Sequence, residues 1–194
     1  MTTKIEQAFD NTNSDYMKKS LEQRNPGPNS AGSTFHTQTS FEDLKSANWK
    51  PANDPAIQSP GEGFVAPISG MLGIAKLDEL PQTARVLLRP AHKGQAKIRE
   101  GEFAGQVPAE VAANLTDDQR TQVDFTTLII GPDRENPEKT VVWTFFPGPA
   151  TFKFKEIPFT QLQEKFGETG DSISITVKDA IALGFQYCKH ASDV

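Results

Sequence analysis

Val123-Asp124-Phe125-Thr126-Thr127-Leu128-Ile129-Ile130 and Thr140-Val141-Val142-Trp143-Thr144-Phe145-Phe146 are the stretches that decide the fold. Both concentrate β-branched and aromatic side chains, which suit a pleated surface. Gly131 to Lys139 separates them and is rich in turn formers, so the pair predicts an antiparallel hairpin. In the second stretch Val141, Trp143 and Phe145 alternate with Val142, Thr144 and Phe146. Both sets are mostly apolar, which predicts a central strand covered on both faces. Pro147-Gly148-Pro149 ends it.

Weaker signals flank this pair. Upstream, Leu72 to Lys76 and Ala84 to Leu88 read as strands, and Lys97 to Glu100 as a short one. Pro108 to Ala113 reads as a helix with proline in its first turn, where a missing amide proton costs least. Thr116 to Gln119 starts a helical turn. Downstream, Phe152-Lys153-Phe154-Lys155 alternates as a half-exposed strand does. Phe159, Leu162 and Phe166 fall at helical spacing before Gly167. Ser172 to Ile175 extends the sheet, Thr176 caps a helix that Gly184 ends, and Phe185 to Lys189 is a final strand. The expected fold class is α+β: a mainly antiparallel sheet of about five to seven strands, two or three packing helices, and an extended N-terminal arm.

The arm is expected over residues 1–60 and the compact α+β domain over 61–194. Residues 25–70 hold 6 of the 14 prolines and 5 of the 14 glycines, a density that marks a functional loop or a tethered segment. Asn13 or Ser14 caps a short helix carrying Tyr16, Met17 and Leu21, and Ser40 with Asp43 caps another. Phe35, Phe41, Leu44 and Trp49 then anchor the arm on the domain or on a partner subunit, which makes a homodimer or other homo-oligomer joined through the arm one expectation.

Charge and composition narrow the function classes. The net charge is -5, and residues 111–194 carry 8 basic and 12 acidic side chains. That balance weighs against nucleic acid as a partner without excluding it, because phosphate neutralisation needs an excess of Lys and Arg. No apolar run approaches the ~18 residues of a membrane span, and the N-terminus has no signal-like apolar stretch. A single cysteine, Cys188, fits a reducing compartment, so a cytoplasmic protein without a membrane partner is expected. No histidine pair has metal-ligand spacing and no cofactor fingerprint is present, so neither a metal nor a cofactor is expected.

One segment reverses the charge balance. Arg85 to Arg99 holds Arg85, Arg89, His92, Lys93, Lys97 and Arg99 and no acid. A strand over Ala84 to Leu88 delivers His92 and Lys93 to the loop at its end, where a rigid sheet can position them. His92 moves a proton near neutral pH, and Lys93 and Arg99 hold a phosphate or carboxylate. Thr144 is the fourth candidate catalytic residue. Arg85, Arg89, Lys97 and Trp143 are the candidate ligand-binding residues, and an anionic small molecule the expected ligand. Against this stands a plain reading in which the basic groups are solvated surface and Trp143 is core.

Two functions of different class follow. The first is a non-enzymatic ligand-binding or interaction protein, since no catalytic constellation is legible. The second is a small hydrolase or RNA-cleaving enzyme built on His92, Lys93 and Arg99.

Overall fold

Local hydrogen bonding starts each of the first three helices. Thr3 Oγ1 accepts from the Glu6 amide while the Glu6 carboxylate accepts from the Thr3 amide, launching α1 (Lys4–Asn11). Asn13 Oδ1 accepts from the Asp15 and Tyr16 amides and begins α2 (Ser14–Arg24). After β1 (Thr34–Phe35), Ser40 and Asp43 form the second reciprocal cap, that of α3 (Phe41–Lys45). The computed structural model describes residues 1–30, 33–90, 103–150 and 157–190.

Strands β2 (Lys50–Pro51), β3 (Glu62–Ala66), β4 (Gly70–Lys76), β5 (Arg85–Pro90) and β6 (Phe103–Val107) come next. Then follow α4 (Ala109–Ala112), β7 (Arg120–Val123), β8 (Thr126–Pro132) and β9 (Thr140–Pro147). The chain ends with α5 (Phe159–Phe166), β10 (Ile173–Thr176), α6 (Val177–Ala182) and β11 (Tyr187–His190). Gly167 takes the left-handed conformation that closes α5, at φ 66°, and Gly184 does so after α6, at φ 90°. The expected strands at Lys97–Glu100 and Phe152–Lys155 lie outside the described residues.

The fold is α+β, with a mixed seven-stranded sheet and a separate four-stranded one. One sheet of five to seven strands with two or three helices was too simple an expectation: six helices are present among the described residues. The larger sheet has the order β1-β4-β11-β6-β5-β10, with β7 also on β4. It is mixed because β11 pairs with β6 in parallel while its pairing with β4 is antiparallel.

Two compact units divide the chain, one of Met1–Leu72 with Gln122–Phe152 and one of Gly73–Thr121 with Lys153–Val194. Strand β4 runs from the first into the second. Residues 1–60, expected as an arm, fold with 61–72 and 122–152. Phe9, Phe35 and Leu44 are buried in one cluster with Leu128, Ile130, Val142 and Phe145. Each fully buried ring or branched chain contributes roughly 1.5–3 kcal/mol. The second unit buries Leu77, Val86, Leu88, Leu162, Ile173 and Ile175 in a cluster of its own.

The hairpin forms as expected, with β8 and β9 antiparallel, but β9 is not central. It ends the order β2-β3-β8-β9. Its faces also differ from strict alternation. Ile129 pairs with Thr144 and Ile130 with Val142, so β9 holds one extra residue, Trp143. A bulge of one residue reverses the parity of everything beyond it. Val142 therefore joins Phe145 in the core, and Trp143 leaves it. This is why a strand apolar in both alternating sets is covered on one side only.

Candidate functional site

Trp143 is the point where the first unit departs most from ordinary packing. It is a large aromatic residue at 38 % exposure in the middle of a strand, beside Tyr16 at 41 %. Its ring lies over Gly131 of β8 and Gly61 just before β3. A Cβ on Gly131 would stand 2.4 Å from Trp143 Cε2 and Cζ2, and one on Gly61 2.8 Å from Cζ3. Two positions without side chains thus make a floor on which the indole lies across neighbouring strands. Its Nε1 donates to the Pro132 carbonyl at 3.0 Å, fixing the ring in plane. The Tyr16 hydroxyl donates to the Trp143 carbonyl.

That last bond belongs to a set. The outer edge of β9 meets side chains of the first two helices rather than another strand. Thr12 Oγ1 accepts from the Val142 amide at 2.8 Å, and Asn11 Nδ2 donates to the Thr140 carbonyl at 3.1 Å. With Tyr16 on the Trp143 carbonyl, three consecutive outward backbone groups have partners, as an edge strand requires. The bulge and the aromatic surface are held from both sides.

Four of the eight candidate residues from sequence are described, Trp143 and Thr144 in the first unit and Arg85 and Arg89 in the second. Thr144 is half-buried in β9 next to Trp143 and opposite Ile129. Arg85 and Arg89 share one side of β5, alternating with the buried Val86 and Leu88. Arg89 is exposed. Arg85 is engaged across the strand pair, with Nε 2.9 Å from Ser174 Oγ and Nη2 2.5 Å from the Ser174 carbonyl. His92, Lys93, Lys97 and Arg99 lie outside the described residues.

Other groups with chemical potential are occupied or shielded. Cys188 is buried in β11, and desolvation pushes its thiol up to about 12, so it stays protonated at neutral pH. The Glu6 and Asp43 carboxyls titrate below their ordinary values, chiefly through the backbone amides of Thr3 and Ser40 that they accept from. Both serve helix starts. Among the described residues no three His, Cys, Asp or Glu side chains gather as a metal-binding set. A depression of about 430 Å³ in the second unit is lined by Ile157, Pro158, Leu162, Ala182 and Leu183, with Lys165 as its one charged group.

Sequence reading singled out Trp143 but missed its supports. Gly131 directly follows the apolar run Leu128 to Ile130 and so reads as the start of the turn rather than as a place of close approach. Thr3 and Glu6, three residues apart ahead of Ala8 and Phe9, spell the capping box of α1. Nothing local marks Asn11, Thr12 or Tyr16 as partners of residues near 140. Comparison with known proteins finds no matching family model, no matching curated protein and no matching solved structure.

Proposed function

We propose that this chain is a non-enzymatic binding protein that engages its partner through the exposed face of Trp143. The carrying observation is the glycine floor beneath the ring, together with the bond that fixes its Nε1. A solvent-facing indole held in one orientation has little rotamer freedom left to lose on binding, which is the property of a contact anchor. The ring's one polar group is already satisfied, so its contribution is a flat apolar face.

Two further facts support this surface over the alternatives. The anchors Phe35, Phe41, Leu44 and Trp49 pack within their own unit, so the N-terminal segment does not need a second subunit to cover them. Arg85, a candidate ligand-binding residue of the basic segment, commits its guanidinium to Ser174, which leaves it less available to an anionic ligand.

The test is selection from a random heptapeptide display library on the immobilised full-length chain. Clones whose binding is lost on Trp143→Ala and kept on Thr144→Ala support the reading. Clones that bind both variants like the parent, or a selection that yields none, would overturn it.

A further inference from the structure

We infer that the partner presented to Trp143 is a basic, extended peptide segment that lays a Lys or Arg side chain on the indole. The inference rests on the proposal that Trp143 is the contact surface, and it adds the ligand's charge.

Both rings of the exposed pair have their polar groups engaged internally. Trp143 Nε1 is held by the Pro132 carbonyl, and the Tyr16 hydroxyl by the Trp143 carbonyl. The rings themselves therefore offer π faces. Such a face attracts cations, tryptophan most strongly, and planar guanidinium groups also stack on it.

The surroundings add negative charge. Three of the residues that touch the indole or its backbone have a carboxylate as chain neighbour, namely Asp133 after Pro132, Glu62 after Gly61 and Asp15 before Tyr16; Gly131 has none. Glu62 is paired with Lys4. Asp15 and Asp133 enter no ion pair among the described residues; Asp133 Oδ1 accepts from the Glu135 amide within its turn. The turn from Asp133 to Lys139 balances Asp133, Glu135 and Glu138 against Arg134 and Lys139. Across the whole first unit there are 8 basic and 12 acidic side chains, net -4, against -1 for the second. The exposed indole thus sits on the unit that carries most of the acid surplus. An anionic ligand would be repelled there and a cationic one drawn in.

Calorimetric titration of the full-length chain with end-blocked tetra-arginine, tetraglutamate, tetraproline and cellotetraose decides the matter. Tetra-arginine is expected to bind best and to weaken as salt rises. Trp143→Ala should weaken it by about tenfold or more, as loss of a partly desolvated cation–ring contact predicts. The double variant Asp15→Asn with Asp133→Asn should weaken it by about threefold to tenfold. That variant keeps the Asn oxygen as turn acceptor and leaves the core alone, so it reports even where Trp143→Ala unfolds the protein. If tetraproline or cellotetraose binds as tightly as tetra-arginine and depends on Trp143, the charge inference falls while the surface stands. If no probe depends on Trp143, both fall.

Discussion

In the first unit the core is organised by rings: Phe9 meets Phe41 edge-on at 5.6 Å, and Phe35 stacks on Phe145 at 6.3 Å. In the second it is organised by branched aliphatic chains, with Val86 and Leu88 of β5 beside Ile173 and Ile175 of the strand it pairs with. The contrast is one of chemistry, since both cores join segments distant in sequence. Phe35 finds its ring partner more than a hundred residues downstream, and Phe9 shares its cluster with Val142 and Phe145, so the first core exists only when the N-terminal segment has returned to β8 and β9. Its edge bonds have the same origin. The second unit draws its Thr176 cap, its α6 helix and strand β10 from adjacent residues. Both units are closed by long-range pairing, the second through β10 on β5 and β11 on β4 and β6, but only the first joins its segments through aromatic rings.

The two units also carry different reporters. Both tryptophans, Trp49 and Trp143, are in the first, and the single cysteine is in the second. The largest expected effect comes from the rings. Phe9→Ala should lower stability by roughly 3–5 kcal/mol, seen as a lower urea midpoint of tryptophan fluorescence. Leu88→Ala should cost roughly 2–5 kcal/mol and appear first as earlier reaction of Cys188 with a thiol reagent. If both reporters move together in both variants, the units unfold as one and the contrast is lost. A smaller effect is expected at the sealed edge. Thr12→Val leaves the Val142 amide without its acceptor, a loss of about 1–3 kcal/mol that Thr12→Ser should largely restore. Equal stability of the two variants would show that water replaces the hydroxyl.

The smallest effect is acid sensitivity of the first unit. Glu6 and Asp43 have folded pKa values below their ordinary 4.5 and 3.8. Their contribution is complete above the unfolded values and is lost as pH falls through the lower folded ones. Fluorescence-detected stability should therefore drop in that acid range, and Glu6→Gln with Asp43→Asn should flatten the drop. An unchanged profile in the double variant would remove the two caps from the account.

Much of this was legible locally. Ser40 and Asp43, Asn13, Gly167 and Thr176 announce helix ends because a cap is a contact between residues three apart. The β8–β9 hairpin was legible for the same reason. What escaped was non-local. The single inserted residue at Trp143 leaves no mark in composition, yet it decides which side chains reach the core. Whether a strand is central or terminal depends on what lies beside it, and the neighbours of β9 come from residues 11 to 16. The basic segment was conspicuous by charge alone, and charge does not say whether a guanidinium will find a serine across the sheet.

The way β9 is bordered has one more consequence. An unpaired strand flank is a template for another chain, and proteins blunt such flanks to stay free of fibrils. Here the guard is Asn11, Thr12 and Tyr16, all within the first sixteen residues. Loss of that short segment, by proteolysis or by faulty synthesis, would uncover an apolar strand ready to recruit copies of itself. Resistance to self-assembly is thus encoded more than a hundred residues upstream of the strand it protects.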